Sequence, residues 1–231
     1  MERKWVVVAC GDIRGFGAWT YRAVNSPEVK EPFISRFYRT MESYVRRHTD
    51  YHFKYLGDGF MTLREFTVEE RRNGAIAKFI GTLLRITNGV RQDIAECDYP
   101  SPDGFRIRFM DGHAYKLMVL DPNDPARKRT IPEYVEYPLN TAQRLLEVNP
   151  DEICLATEGI VKRLRRHRSV FRVRPLGKPS CYPKGVNRED VDGLWVLESF
   201  RKAFQRKTSH RDNGPLGDVF RTKQKRKKER P

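Results

Sequence analysis

Hydrophobic positions along this chain follow two periods. Trp5-Val6-Val7-Val8-Ala9-Cys10 is an unbroken apolar run of strand length, which predicts a buried strand over residues 4–10. From Pro27 to about His48, the residues Phe33, Phe37, Met41, Tyr44 and Val45 return at helical spacing on one face. Residues 51–66 read as two short strands around Gly57-Asp58-Gly59, whose glycines supply the positive-φ freedom of a tight hairpin. Thr67-Val68-Glu69-Glu70 has the spacing of a helix cap, and Ile76, Phe79, Ile80, Leu83, Leu84 and Ile94 carry that helix to about Glu96. Two strands are expected next, at about 104–110 and 114–120, then a polar loop over 121–129 with two prolines. A short helix over 139–147, a strand over 152–155, a helix over 157–165 and strands over 170–174 and 192–198 finish the pattern, with 175–190 as a loop. The order β-α-β-β-α-β with an α/β extension predicts an α+β fold: a ferredoxin-like antiparallel sheet with helices on one face.

Composition changes this picture in one place. The chain has 231 residues, which suits one domain over residues 1–199 and an appendage over 200–231. Net charge is +15, but residues 200–231 hold twelve Lys/Arg against three Asp/Glu, so that segment carries +9 and the body only +6. The tail is expected to be disordered. It is also the one motive for a nucleic-acid-binding reading, through Lys223-Gln224-Lys225-Arg226-Lys227-Lys228, because the body has no nucleic-acid signature. No apolar run approaches the ~20 residues that span a bilayer, and Met-Glu-Arg-Lys leads straight into a core strand. Neither a signal peptide nor a membrane segment is expected. Cys10, Cys97, Cys154 and Cys181 are far apart without a Cys-x-x-Cys pair, which fits reduced thiols in a cytoplasm.

The chemistry concentrates in two short stretches. Gly11-Asp12-Ile13-Arg14-Gly15-Phe16 follows the first strand, and Lys54-Tyr55-Leu56-Gly57-Asp58-Gly59-Phe60 holds the hairpin turn. Each presents an aspartate where a strand stops. As plain turn residues the two need no further role. If their strands are neighbours, the carboxylates converge and call for a hard divalent cation between them. The backbone around Gly15 and Phe16 then offers amides that can cradle a phosphate.

In that order, with Phe105-Arg106-Ile107-Arg108-Phe109 running to Gly112-His113 and with Leu139-Asn140-Thr141-Ala142-Gln143-Arg144-Leu145, the stretches resemble the class III nucleotidyl cyclase catalytic domain over residues 4–198. The resemblance implies cyclisation of a nucleoside triphosphate with two divalent cations, Mn2+ or Mg2+, on Asp12, Asp58 and the Ile13 carbonyl. It implies a triphosphate held at Arg14, Gly15 and Phe16, a ribose oriented by Asn140, and charge at the α-phosphate met by Arg144. It further implies a head-to-tail homodimer with the active sites at the interface.

The base-reading positions depart from the family pattern. Where a lysine is expected five residues before Gly57, the chain has His52, preceded by Tyr51; Glu133 takes the place of the second base reader. Glu136 stands where a glycine is usual four residues before Asn140. A ring in place of a thin lysine narrows the pocket and favours a pyrimidine. The combination resembles the uridylate and cytidylate cyclases of bacterial Pycsar anti-phage systems, with UTP preferred over CTP. An adenylate or guanylate cyclase with an unusual base pocket is the alternative within the class.

Overall fold

The structure is a computed structural model, which describes residues 1–22, 27–47, 50–97, 102–121, 130–167 and 170–200. The tail expected from residue 200 onward lies, from residue 201, outside the described residues. One mixed sheet of eight strands organises the chain, in the order β2-β3-β1-β4-β6-β8-β7, with β5 paired to β4. Strand β1 (Glu2–Arg14) sits between β3 (Gly59–Glu65) and β4 (Gly104–Leu120), antiparallel to both. β2 (His52–Tyr55) closes the hairpin with β3, and this half has the ferredoxin-like order.

Alternation along β1 and β4 divides the molecule into two cores. Val7, Ala9, Ile13, Phe105, Ile107 and Phe109 point to one face. They pack there under α1 (Phe16–Arg22), α2 (Pro27–Arg47), α3 (Ala75–Ala95) and α5 (Glu158–Leu164). Phe33, Phe37, Met41, Phe79, Ile80 and Leu83 supply most of the helical side, and each such side chain contributes about 1.5–3 kcal/mol by leaving water. Val6, Val8, Cys10, Met110 and Ala114 point the other way and are covered by Leu139, Ala142 and Leu146 of the α4 (Tyr137–Arg144) region and by Tyr134 of β5 (Thr130–Val135). Helices therefore lie on both faces, not on one as the order of elements suggested. A third cluster, around Leu155, Leu176, Leu194 and Val196, joins β6 (Cys154–Thr157) to β8 (Leu194–Phe200). The extension is completed by β7 (Phe171–Pro175) and α6 (Arg188–Asp192), the latter spanning the end of the expected loop and the start of the expected strand.

Several boundaries move for identifiable reasons. The helix expected from Thr67 starts at Ala75, because Gly74 sits at φ +87° and interrupts it. The cap signature is real but closes a separate turn: Glu70 N–H donates to Thr67 Oγ1 at 3.2 Å, and Thr67 N–H to Glu70 Oε2 at 2.9 Å. Gly112-His113 is not a turn. β4 runs through it in register with Val6 and Trp5, and the missing side chain at Gly112 makes room for Pro138, which a Cβ would meet at 2.7 Å. The predicted antiparallel sheet also has one parallel pair, β4 with β6. Among the described residues, no helix is long and apolar enough to cross a membrane. The four cysteines are free; burial pushes the Cys10 and Cys154 thiols up and keeps them protonated.

Candidate active site

Asp12 lies within β1, not beyond it, on the sheet face away from α2 and α3. Register places it opposite Gly59 on one side and Arg106 on the other. The hairpin presses so closely on β1 that a Cβ on Gly59 would meet the Gly11 carbonyl at 2.3 Å. Ile13 N–H donates to the Asp58 carbonyl at 3.1 Å, which ties the hairpin turn to the strand carrying Asp12. The Ile13 side chain itself is buried in the helical core. Asp12 and Asp58 are thus brought together, as expected.

Arg106 completes this corner. Its Nη2 and Nε donate to Asp12 Oδ2 at 2.7 and 3.1 Å. Burial pushes the Asp12 carboxyl above its usual range, Arg106 pulls against that rise, and the charge of Asp58 adds to it. A poorly solvated carboxylate beside a second one is a site that gains from positive charge. Among the described residues no group of three or more His, Cys, Asp or Glu could hold a metal. The donor set at this corner is two carboxylates with strand carbonyls. That set suits Mg2+ or Mn2+, which are bound by one or two carboxylates and complete their shell with water and substrate phosphate; it does not suit zinc.

Beside this corner Gly15, at φ +65°, turns the chain from β1 into α1, and its carbonyl accepts from Trp19 N–H at 2.7 Å. Phe16 opens α1, with its ring 5.5 Å from Trp19. The Arg14 guanidinium is engaged with Asp151 at 2.7 Å, which leaves the backbone of this segment as its donor.

Asn140 and Arg144 are exposed one turn apart on α4. Arg144 Nη1 donates to the Lys184 carbonyl. Pro138 against Gly112 fixes the start of this helix, where Glu136 takes φ +137°, a glycine-like conformation. Arg108 fixes the other end. It is fully buried, and it donates to the carbonyls of Leu145 at 3.0 Å, Val148 at 3.0 Å, Asn149 at 3.2 Å, Glu152 at 2.9 Å and Ile107 at 3.0 Å. Burial lowers its pKa to about 10, which still leaves it charged.

Where base readers were expected, the strand alternation separates the pair of rings. Tyr51 packs edge-on against Phe79, at 4.8 Å between centroids, as part of the helical core. His52 turns the other way, with its ring 5.2 Å from Tyr134. Burial lowers the His52 pKa and keeps it neutral, and its Nε2 is buried without a partner. Both residues line a cleft of about 540 Å³ whose charged groups largely pair among themselves, Lys116 with Glu65 and Arg64 with Asp50 and Glu70. Glu133 lies on β5, a strand the sequence pattern did not predict, where it forms an ion pair with Lys54. Lys54 lies two positions after His52 and on the same side of β2. Arg106, Arg108 and Lys54 were all missed as site residues. The signal for the two arginines was present, since charged residues alternate with Phe105, Ile107 and Phe109.

No protein-family model and no curated protein matches the chain. Solved structures do resemble it. The adenylyl cyclase CyaB from P. aeruginosa superimposes with a TM-score of 0.65 at 18% identity, covering 87% of this chain and 97% of that one. The guanylyl cyclase Cya2 gives 0.60 at 15% identity, with 88% and 96% covered. The guanylate cyclase domain of RhGC from Catenaria anguillulae, solved in complex with GTP, gives 0.59 at 14% identity, with 87% and 100% covered. The fold is that of the class III cyclase catalytic domain.

Proposed function

We propose that this chain is a nucleotidyl cyclase that converts a nucleoside triphosphate to its 3′,5′-cyclic monophosphate and pyrophosphate. The observation that carries the reading is the convergence of Asp12 and Asp58 at adjoining strand ends, within a cyclase-like fold and beside Arg106. The reaction needs the ribose 3′-oxygen to attack the α-phosphorus as pyrophosphate leaves, through a crowded, negatively charged transition state. Two divalent cations, when bound, would lower the hydroxyl's pKa and neutralise the leaving phosphates. Asp12, Asp58 and the Ile13 carbonyl would hold them. The amides around Arg14, Gly15 and Phe16 take triphosphate oxygens, with Arg106 beside them. Asn140 orients the ribose, and the guanidinium fork of Arg144 meets charge at the α-phosphate.

These groups form a site divided between two copies of the chain in a head-to-tail homodimer. Mixing inactive Asp58→Asn with inactive Arg144→Ala recovers part of the activity, because a mixed dimer assembles one intact site. No recovery, with subunit exchange demonstrated, places the site within one chain.

For the base we favour a pyrimidine, UTP ahead of CTP, with the product acting as a messenger in anti-phage defence. The support is the neutral His52 ring, tilted against Tyr134 at 5.2 Å beside Lys54 and Glu133, which crowds that end. The Lys54–Glu133 pair supports a second reading, an adenylate cyclase, since a lysine and an acid match N1 and N6 of adenine as well as N3 and O4 or N4 of a pyrimidine. Specificity constants for the four triphosphates, with products identified by mass, decide between them. Turnover of ATP at least equal to UTP and CTP removes the pyrimidine assignment and leaves the cyclase standing; absence of any cyclic product removes both.

A further inference from the structure

On the helical face, away from Asp12 and Asp58, the start of α3 and the end of α5 enclose a cavity of about 380 Å³. Six basic side chains line it: Arg71, Arg72, Lys162, Arg163, Arg166 and His167. Their neutralisation is thin. Lys162 pairs with Glu158 at 3.2 Å, and Arg163 Nε lies 3.8 Å from Asp111, beyond hydrogen-bond reach. Among the described residues no carboxylate pairs with Arg71, Arg72 or Arg166.

Two of these arginines are held in place without being satisfied. Arg71 and Arg163 stack on Trp5, with their guanidinium carbons 5.1 and 4.5 Å from the ring centroid. Among the described residues the Nε atoms of both are buried and have no hydrogen-bond partner, a state that buried donors rarely keep. The cavity also meets the first turn of α3. Gly74, Ile76 and Ala77 line the wall, the last two with amides that are orphan donors of a helix start, and the His167 ring lies over Gly74, where a Cβ would meet it at 3.0 Å. Fixed cations, unpaired buried donors and a helix N-terminus all favour the same occupant, one with several phosphate-like oxygens.

We infer that this cavity is a second site, separate from the active site, which binds a small polyphosphate anion. Its volume falls in the range of small-ligand pockets, enough for a diphosphate group or a nucleotide carrying one. The shared chemistry is the diphosphate; free pyrophosphate and a nucleoside polyphosphate are its two sources. This inference is independent of the proposed cyclase activity.

The test is calorimetric titration of the full-length protein with pyrophosphate, UTP and UMP. EDTA keeps divalent cations from Asp12 and Asp58, and about 150 mM salt screens diffuse surface charge. Saturable binding of pyrophosphate or UTP, tighter than UMP, is expected, and the tighter of the two names the source. Arg72→Glu with Arg166→Glu, both exposed positions, weakens that binding by at least about tenfold, because two charge-assisted contacts are reversed. The neutral pair Arg72→Gln with Arg166→Gln weakens it less and serves if charge reversal disturbs folding. Arg144→Ala leaves it unchanged. Fluorescence of Trp5, whose ring touches two of the wall arginines, follows the titration, and the response is lost in Trp5→Phe. The inference falls if the wild type shows no saturable binding below millimolar concentration. It falls equally if the glutamine pair binds as tightly as the wild type, or if Arg144→Ala loses binding to the same extent. Tight binding of single-stranded nucleic acid in place of all three small anions overturns it as well.

Discussion

Arg106 and Arg108 sit two residues apart on one strand and on the same face of the sheet, yet their surroundings are opposite. Arg106 meets a carboxylate, Asp12, whose own burial already makes it ready for another cation. Among the described residues Arg108 donates only to backbone carbonyls, five of them within 3.2 Å, and no acid hydrogen-bonds to it. A charge that shares a mobile, ionisable partner can exchange it for a ligand. A charge saturated by carbonyls of the loop it holds cannot, and its work is to fix that loop. One strand therefore carries a carboxylate-paired guanidinium and a carbonyl-clamping one at successive positions on one face. Sequence type alone does not separate them.

The largest effect that sharpens this contrast belongs to the carboxylates. Asp12→Asn or Asp58→Asn should lower turnover about a thousandfold while circular dichroism and melting stay near wild type, because each removes a charge from the reacting centre and not from the core. Near-normal turnover in either variant would break the site assignment. Arg108→Met comes next. It strips the buried carbonyls of their donor and should cost about 3 kcal/mol in denaturant unfolding, because buried polar groups left unmade are expensive. A cost under about 0.5 kcal/mol would mean water replaces the clamp and Arg108 resembles its neighbour after all. Arg106→Gln should show the reverse profile: stability within about 1 kcal/mol of wild type, and turnover reduced about tenfold through the lost charge-assisted contact. Equal losses of stability in the two variants would erase the distinction. The smallest effect lies at the far end of α4 from the Arg108 clamp. Glu136→Gly should stabilise the fold by about 1 kcal/mol, since Glu136 holds a backbone conformation natural to glycine. If activity drops as stability rises, the strain at Glu136 helps to place Asn140.

Much of the fold was legible because periodicity and burial agreed. The β1 run, the Gly57-Asp58-Gly59 hairpin and the stripes of α2 and α3 all met their expected partners. β5 was not legible: Pro132 and Glu133 break its alternation, and the strand exists because β4 offers it an edge over Tyr115–Leu120. The start of α3 was misplaced because a capping signature can close a turn as readily as a helix, and only Gly74 decides which. At the site, the approach of Asp12 to Asp58 followed from strand neighbourhood. The pairings Arg106 to Asp12 and Lys54 to Glu133 did not, since they depend on register and on the path of β5 across the second face. Tyr51 and His52 looked alike as rings, and parity along the strand sent one into the core and the other toward Tyr134.

The length of β4 has an evolutionary consequence. Its seventeen residues pair with β1 along one edge from Gly104 to Lys116, and its other edge carries β6 and then β5. Inserting or deleting one residue inside that span would invert every later side chain, driving Arg106 or Arg108 into the phenylalanine-rich side and Phe109 onto the face covered by α4. Natural variation in this protein's lineage should therefore spare the length of residues 105–116 while their identities drift. Changes in length should collect beyond Leu120, where no register is left to lose.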